Sequence, residues 1–322
     1  MRRWLSLSTA LLLSACASLS PVAPPLDAAD SGWTAAAAST RTVGLGLRGG
    51  AQLADGVRFA GGVELVADET SPLHSLSDFK LTTDGFISVS DAGDLVRGRL
   101  RFGHDGRLVG MDALAFRRLT LSTGDPIVEK VDGDAEGLLI TEGGDLLVSF
   151  ERNHRIWNYG DPDRPAASPR GVASPDHAFA LNDGMEGVSV RAGGWRVTGE
   201  SGGVWDCGPA GCAVVTAPPE TPLADSEYRI TGMDRDPDGG FFVVQRSYAP
   251  PIDARARVRR MDASGVLGPV LIELKLPSTT DNFEGIAVER RGGQSRLYIL
   301  SDDNNNAAQR TLLLAFDVRS AR

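Results

Sequence analysis

A short acidic motif followed by an apolar run recurs along the chain, and its spacing restricts the fold more than any other feature. Glu136 and Glu186 are 50 residues apart, and Glu284 follows Glu186 by 98 residues, close to two such periods. Two weaker matches complete the series. The five units start at Asp78, Glu136, Glu186, Asp234 and Glu284. Periods of about 50 residues are typical of repeat architectures.

Each unit carries the turn and strand signals of antiparallel β-hairpins. The acidic start is followed by a Gly- or Asp-rich turn, such as Asp238-Gly239-Gly240, and then by a β-rich run, such as Phe241-Phe242-Val243-Val244. No long segment shows a helical period. Several short strands in each repeat predict an all-β fold of the β-propeller class.

The blade number follows from the length of the mature chain. About 306 residues in repeats of about 50 give six blades. Five blades carry acidic starts, and the sixth would combine N-terminal strands near residues 58–66 with the C-terminal run Thr311 to Phe316. Closing the ring with both chain ends protects sheet edges. Five or seven blades remain open as alternatives.

The N-terminus has the features of an export signal. Arg2 and Arg3 precede a short apolar run that ends in Leu13-Ser14-Ala15-Cys16, which matches a bacterial lipoprotein box with Cys16 as the lipidated residue. The alternative is an ordinary secretory signal with a chance cysteine. We therefore expect a signal peptide at 1–16, a flexible tether at 17–40, and one propeller domain at 41–322. Ser18, in place of an aspartate, favours the outer membrane, facing the periplasm.

The charge restricts the partners. Loss of the signal changes the formal net charge from −9 to −11, and no basic stripe with interleaved aromatic residues is present. Nucleic acid is therefore excluded as a partner, and a divalent cation or cationic ligand fits better. We expect a monomer that contacts the membrane only through its lipid anchor. Cys207 and Cys212 close a short Gly- and Pro-containing loop, which in an exported protein favours a disulfide over a zinc site.

A second acidic position ends the β-run of most units, as at Glu151 and Glu200, whereas the fourth unit has Gln245. The start of one strand and the end of its hairpin partner are neighbours, so both acids of each unit converge on one mouth of the propeller. Many carboxylate oxygens suit calcium, although each acid could instead accept backbone hydrogen bonds in a turn. The candidate metal ligands are Asp78, Asp91, Glu136, Glu186, Glu284, Asp302 and Asp303.

Basic residues near these acids could hold an anion. The candidates are Arg152, His154, Arg155, Arg246 and Arg310. Alternatively, the arginines pair with the acids and hold the ring together. A Gly-x-Ser-x-Gly nucleophile motif is missing, which leaves a serine esterase as a distant third hypothesis.

At these residues the chain resembles the phytase-like family described as esterase-like activity of phytase. The likeness is carried by four stretches: Leu76 to Phe79 with Val89 to Asp91, Gly133 to Leu138 with Val148 to Ile156, Asn282 to Ala287, and Leu300 to Asn304 with Gln309 to Leu313. It implies a propeller related in plan to calcium-dependent phytases, which cleave phosphate monoesters at an acid-lined mouth.

Two functions follow as hypotheses. The first is a calcium-assisted phosphoester or ester hydrolase of the cell envelope acting on a small anionic ester, with Glu151 or Glu200 as general base and Arg152 binding the phosphate. The second is a non-catalytic propeller lipoprotein that binds a ligand or an envelope partner.

Overall fold

Five antiparallel sheets make up the fold. A computed structural model describes residues 32–250 and 253–320, to which every structural statement here refers. The predicted signal peptide, Cys16 and the first part of the predicted tether lie outside the described residues. Four strands precede the first sheet: β1 (Thr34–Ala35), β2 (Ser39–Thr42), β3 (Ala51–Leu53) and β4 (Val57–Val66).

The sheets follow one another along the chain as consecutive blades. Blade 1 contains β5 (Leu76–Leu81), β6 (Phe86–Ser90), β7 (Asp94–Phe102) and β8 (Leu108–Arg118). A short helix, α1 (Lys130–Gly133), leads into blade 2, with β9 (Ala135–Ile140), β10 (Leu146–Phe150), β11 (Arg155–Gly160) and β12 (Arg170–Val172). Blade 3 contains β13 (Met185–Arg191), β14 (Gly194–Gly199), β15 (Val204–Gly208) and β16 (Gly211–Thr216).

The last two blades each include a strand from the N-terminal part of the chain. Blade 4 contains β17 (Arg229–Arg235), β18 (Phe241–Ala249), β19 (Asp253–Met261) and β20 (Leu267–Leu274), with β3 paired to β20. Blade 5 contains β21 (Asn282–Arg291), β22 (Gln294–Asp302) and β23 (Thr311–Arg319), and β4 forms its outer strand. Both chain ends therefore close the ring.

The inner strands of the blades surround one axis. Strand β5 contacts β9, and the series continues through β13 and β17 to β21, which returns to β5. The predicted all-β propeller is thus confirmed, but the described residues form five blades and not six. The predicted sixth blade is part of the fifth, because the N-terminal and C-terminal strands assigned to it pair with each other at the outer edge of blade 5.

The propeller also begins earlier than expected. Strand β1 and the first two residues of β2 lie within the residues assigned to the tether, yet β1 pairs with β8 and β2 pairs with β4. Apolar side chains fill the spaces between blades, with Phe242, Phe283 and Phe316 fully buried between blades 4 and 5. Cys207 and Cys212 face each other across β15 and β16 and form a disulfide. None of the described helices is long and apolar enough to cross a membrane.

Candidate active site at the propeller mouth

An extra residue interrupts every inner strand at the same place. In each blade the pairing with the next strand skips one residue, which is a β-bulge that turns its side chain away from the sheet. The five bulge residues are Ser77, Glu136, Glu186, Thr231 and Glu284. The Glu-Gly repeat in the sequence is therefore the signature of a bulge, and three blades use it to present a glutamate.

Close packing around the axis explains the glycine that follows the bulge. A Cβ atom on Gly137 would lie 2.7 Å from the carbonyl oxygen of Glu186 in the next blade. A Cβ atom on Gly232 would lie 2.1 Å from the carbonyl oxygen of Glu284. Because real side chains do not make contacts this short, the neighbouring inner strands approach each other only with glycine here.

A second set of side chains stands beside the bulges. Each of these residues lies in the second strand of its blade or directly after it. Each faces the residue that comes two positions before the bulge, at the start of the inner strand or directly before it. They are Asp91, Glu151, Glu200, Arg246 and Asp302. The equivalent position in blade 4 is Arg246 and not Gln245, so a cation replaces the acid there.

The second set and the three bulge glutamates line a cavity of about 410 Å³ at one end of the axis, whereas Ser77 and Thr231 are buried outside its lining. Nine carboxylates and four cations line this central cavity. The acids are Asp91, Asp134, Glu136, Glu151, Glu186, Glu200, Asp225, Glu284 and Asp302, and the cations are Lys130, Arg152, Arg229 and Arg246. Asn182, Tyr248 and Asn304 complete the wall.

Two groups of carboxylates within this cavity are close enough to share a cation. One contains Asp134, Glu136 and Glu151, and the other contains Glu151, Glu186 and Glu200; in each, oxygen atoms lie within 4.8 Å of one another. Glu151 belongs to both. Among the described residues, no hydrogen bond or ion pair holds the carboxyl groups of Glu136, Glu151 and Glu186, although Glu151 and Glu186 are only 8% and 5% exposed.

Burial and mutual repulsion disfavour the charged forms of these acids. Burial raises the pKa of Glu151 to about 8, with Asp134 and Glu200 adding to the rise and Arg152 opposing it. Burial also raises the pKa of Glu136 and Glu186 well above the usual range, and neighbouring carboxylates increase the effect. A bound cation or shared protons would relieve this repulsion, and carboxylate oxygens are the ligands that calcium prefers.

Two of the four cations, Arg229 and Arg246, belong to blade 4, whereas Lys130 and Arg152 pair with Asp134 beside the unpartnered acids. Arg246 donates to Glu200 over 3.1 Å, lies 3.4 Å from Glu284, and donates to the Asn282 amide oxygen over 2.8 Å. Its Nε atom is buried without a hydrogen-bond partner among the described residues. Arg229 donates to Glu200 as well. The mouth is therefore asymmetric, with free acids on blades 2 and 3 and paired arginines on blade 4.

Comparison with known proteins identifies the family. The model of the family described as "Phytase-like: Esterase-like activity of phytase" matches residues 71–305. The chain belongs to this phytase-like family. The match includes both carboxylate groups of the mouth. A search of curated proteins gave no match.

Several solved structures resemble this phytase-like chain at low identity. A putative gluconolactonase shares 11% identity with a TM-score of 0.44, and the match covers 90% of this chain and 96% of the other. Virginiamycin B lyase from Staphylococcus aureus shares 10% identity with a TM-score of 0.41, covering 88% and 100%. The allergen Mala s 1 of Malassezia sympodialis shares 13% with a TM-score of 0.41, covering 87% and 94%. No inference about activity is drawn from these three.

The structure brings most of the predicted site residues into the central cavity. Of the predicted metal ligands, five line it: Asp91, Glu136, Glu186, Glu284 and Asp302. Glu151, Glu200, Arg152 and Arg246 line it too. Glu151 and Glu200, expected as general bases, instead belong to the carboxylate groups that could hold a cation. Arg152 has a positive φ of 56° and donates to Asp134.

Asp78 has a different role from the one predicted. It is fully buried one residue past the bulge, where the other blades have glycine, and it pairs with Lys80 over 2.6 Å. Its carboxylate also accepts backbone hydrogen bonds from Leu138 in blade 2 and Ile286 in blade 5. Asp78 therefore joins three blades beneath the mouth and is not a lining residue.

Asp303 and Arg310 also lie outside the central cavity lining. Asp303 is 2.6 Å from His74 and accepts hydrogen bonds from the Ser75 backbone and the Thr311 hydroxyl, which leaves it no role as a ligand. Arg310 pairs with Asp281 over 3.4 Å. Both residues hold the loop after β22 against its neighbours.

His154 and Arg155 are likewise not in the cavity wall. The Nε2 atom of His154 contacts the Ala180 carbonyl oxygen at 3.0 Å, and its ring packs on Phe179. Arg155 stacks over the rings of Phe150 and Trp157. Their proximity in sequence to Glu151 did not place them at the site, because the turn after β10 directs them outward along β11.

Seven lining residues were not among the sequence-based candidates. They are Lys130, Asp134, Asn182, Asp225, Arg229, Tyr248 and Asn304. Asp134 and Arg229 had a detectable signal, since each lies two residues before a bulge, at a position that faces the second set of side chains. The others follow no repeat: Asn182 and Asp225 come from loops between blades, Lys130 from α1, Tyr248 from β18, and Asn304 from the loop between β22 and β23.

Proposed function

We propose that this phytase-like propeller is a calcium-assisted hydrolase of phosphoesters or related esters. The observation that carries the proposal is the pair of carboxylate groups that share Glu151, which open into the same cavity as Arg152 and Arg246. The donor set consists of hard oxygen ligands, and three of its acids, Glu136, Glu151 and Glu186, have no hydrogen bond or ion pair among the described residues, so the residues fit calcium. Asp134, Glu136, Glu151, Glu186 and Glu200 would hold it.

When bound, calcium supplies Lewis acidity that polarises an ester oxygen and favours ionisation of water. The arginines supply the complementary part of the site. Arg152 and Arg246 present guanidinium groups to the same cavity, and such groups bind phosphate oxygens through charge-assisted hydrogen bonds. An anion in this cavity would therefore be within reach of guanidinium groups on blade 2 and on blade 4, beside the carboxylates that would hold the cation.

Glu284 is the proposed general acid–base group. It lies outside both carboxylate groups and accepts a hydrogen bond from the Asn282 amide over 2.9 Å. Burial raises its pKa to about 7, while Arg246 limits the rise. A carboxyl group with a pKa near the working pH transfers protons well in both directions. We therefore assign to Glu284 the proton transfer that Glu151 or Glu200 was expected to perform.

The test is release of inorganic phosphate from p-nitrophenyl phosphate and from phytate by the purified protein, with calcium and then with a chelator. Calcium-dependent release is expected. Glu136→Gln should reduce it at least tenfold, whereas the exposed Glu220→Gln serves as the matched control. If folded protein releases neither phosphate nor the alcohol of p-nitrophenyl acetate with calcium present, the hydrolase proposal fails and the non-catalytic binding propeller takes its place.

We further propose that the protein acts in the cell envelope, anchored by lipid on Cys16 at the outer membrane. This rests on the Leu13-Ser14-Ala15-Cys16 sequence and the short apolar run before it. Metabolic labelling with a palmitate analogue should mark the wild type and not Cys16→Ser. Equal labelling of both proteins would refute the anchor.

A further inference from the structure

A second cavity adjoins the central one and differs from it in chemistry. This side chamber has a volume of about 510 Å³, which is in the usual range for small-ligand sites. It shares Arg246, Tyr248 and Asn304 with the central cavity. A molecule with its ester group beside Arg246 could therefore extend into the side chamber.

The side chamber is nearly free of unpaired charge. Apart from Arg246, its charged residues are Arg255 and Asp281, and each has its own partner: Arg255 pairs with Asp253 over 2.7 Å, and Asp281 pairs with Arg310 over 3.4 Å. The central cavity, by contrast, has nine carboxylates. The chamber therefore offers no excess of positive charge to a multiply charged anion.

The remaining wall combines amides and hydroxyls with apolar surface. The polar residues are Ser247, Thr280, Asn282, Asn304, Asn306 and Gln309, and the apolar ones include Ala254, Leu276 and Ala308. Thr280 is 8% exposed, and its hydroxyl oxygen has no hydrogen-bond partner among the described residues. Amides and hydroxyls both donate and accept hydrogen bonds, as the hydroxyls of a ligand require.

We propose that the side chamber binds the alcohol half of the substrate, and that this half is an uncharged, hydroxyl-rich group the size of a sugar ring carrying a single phosphate. The inference rests on the proposed hydrolase function. A sugar ring presents hydroxyls at its edge and C–H groups on its faces, which matches a wall of amides beside Leu276 and alanine side chains. Phytate, with six phosphates, meets carboxylates in the central cavity, and the two arginines of the chamber, Arg246 and Arg255, are already paired with acids.

The experiment compares three phosphate compounds with calcium present: D-glucose 6-phosphate, phytate, and acetyl phosphate, which is too small to fill the chamber. The wild type should show a kcat/KM for glucose 6-phosphate at least tenfold above that for phytate. A preference for phytate would overturn the proposal.

Two tryptophan variants test the chamber directly. Ala308 is exposed and lines the chamber, so Ala308→Trp adds bulk there; the neighbouring Ala307 is exposed outside the lining. Ala308→Trp should lower the ratio of kcat/KM for glucose 6-phosphate to that for acetyl phosphate at least tenfold, and Ala307→Trp should leave the ratio within twofold. If Ala308→Trp leaves this ratio unchanged, the side chamber does not bind the alcohol half of the substrate. Gln309→Ala, expected to lower the ratio about threefold, replaces Ala308→Trp if that variant does not fold.

A binding measurement separates this inference from the hydrolase proposal. Saturation-transfer NMR with D-glucose should show contact with the wild type and with Ala307→Trp, and a signal at least fivefold weaker with Ala308→Trp. If no phosphate compound is hydrolysed but glucose binds in this pattern, the hydrolase proposal fails and the chamber stands. If hydrolysis occurs but glucose does not bind, the chamber assignment fails alone.

Discussion

Glu151 links the two carboxylate groups, so replacing it with glutamine should have opposite effects without and with calcium. Its pKa rises from an ordinary 4.5 to about 8 because it is buried near other acids. At pH 7.5 the folded state's preference for the neutral form of Glu151 therefore opposes folding by roughly 4 kcal/mol, at about 1.4 kcal/mol for each pKa unit. Relaxation of its neighbours reduces this, and we expect Glu151→Gln to gain about 2–4 kcal/mol in chelator.

The sign of the pH dependence follows from the direction of the shift. The folded state holds the Glu151 proton more tightly than the unfolded state, so this group weakens folding as pH rises from about 4.5 to about 8. In chelator, the wild-type melting temperature should fall between pH 5 and pH 8, and less steeply in Glu151→Gln. At pH 7.5 the variant should melt at least about 4 °C above the wild type, given about 2–4 °C per kcal/mol for domains of about 150–250 residues.

With calcium present, the wild type should have a higher melting temperature than Glu151→Gln, which is the reverse of the order in chelator. A ligand that binds only the folded state raises its stability in proportion to the logarithm of its concentration. Wild type should gain this stabilisation, whereas Glu151→Gln, which has lost the shared ligand, should gain little. Differential scanning calorimetry with chelator and with calcium measures both effects, with Glu220→Gln as the exposed control. Two results together would refute a role for Glu151 in cation binding: a Glu151→Gln melting temperature below that of the wild type in chelator, and a calcium-induced rise in melting temperature equal to that of the wild type.

Three further predictions concern the ring and its cations. Gly232→Ala places a Cβ atom 2.1 Å from the Glu284 carbonyl oxygen and should lower the free energy of unfolding by more than about 2 kcal/mol in urea titration, whereas Gly171→Ala, which meets nothing within 4 Å, should change it little. Asp78→Asn breaks the buried pair with Lys80 and should cost about 3–5 kcal/mol of stability, while calcium should still raise the melting temperature as in the wild type. If calcium no longer raised the melting temperature of this variant, Asp78 would be a cation ligand after all. Arg246→Gln should weaken inhibition by inorganic phosphate about tenfold, and equal inhibition in variant and wild type would remove Arg246 from the anion site.

The repeat made the propeller and its acidic mouth predictable, because a glutamate before glycine marks a bulge in three blades. The same repeat was misread in the other two. In blade 1 the bulge residue is Ser77, so the acid at Asp78 lies one position later and points into the axis. In blade 4 it is Thr231, and Asp234 accepts hydrogen bonds from Ser189 and Val288. An acidic residue near the expected position does not by itself predict a cavity-lining residue, because the pairing register of the strand decides which way its side chain points.

Blade number was harder to predict for a different reason. The N-terminal strand near Arg58 carries no bulge motif, and by spacing it could belong to a new unit. In the structure Arg58 pairs with Asp317 across β4 and β23, so β4 forms backbone hydrogen bonds with β23, which would otherwise be the last strand of blade 5. Such pairing joins residues more than 250 positions apart, and no local pattern reports it. Loop residues such as Asn182 were missed because they follow no repeat.

The blades that depart from the repeat make the mouth chemically asymmetric. A ring with an acid at every position would bind cations evenly and repel every anionic substrate. Two blades instead have Ser77 and Thr231 at the bulge, and blade 4 has Arg246 where the others have an acid. The unpartnered acids are therefore confined to blades 2 and 3, and Arg246 on blade 4 also lines the side chamber, whose other charged residues are paired. In the proposed hydrolase this separates three tasks within one opening: holding a cation, binding an anionic ester, and receiving a neutral alcohol.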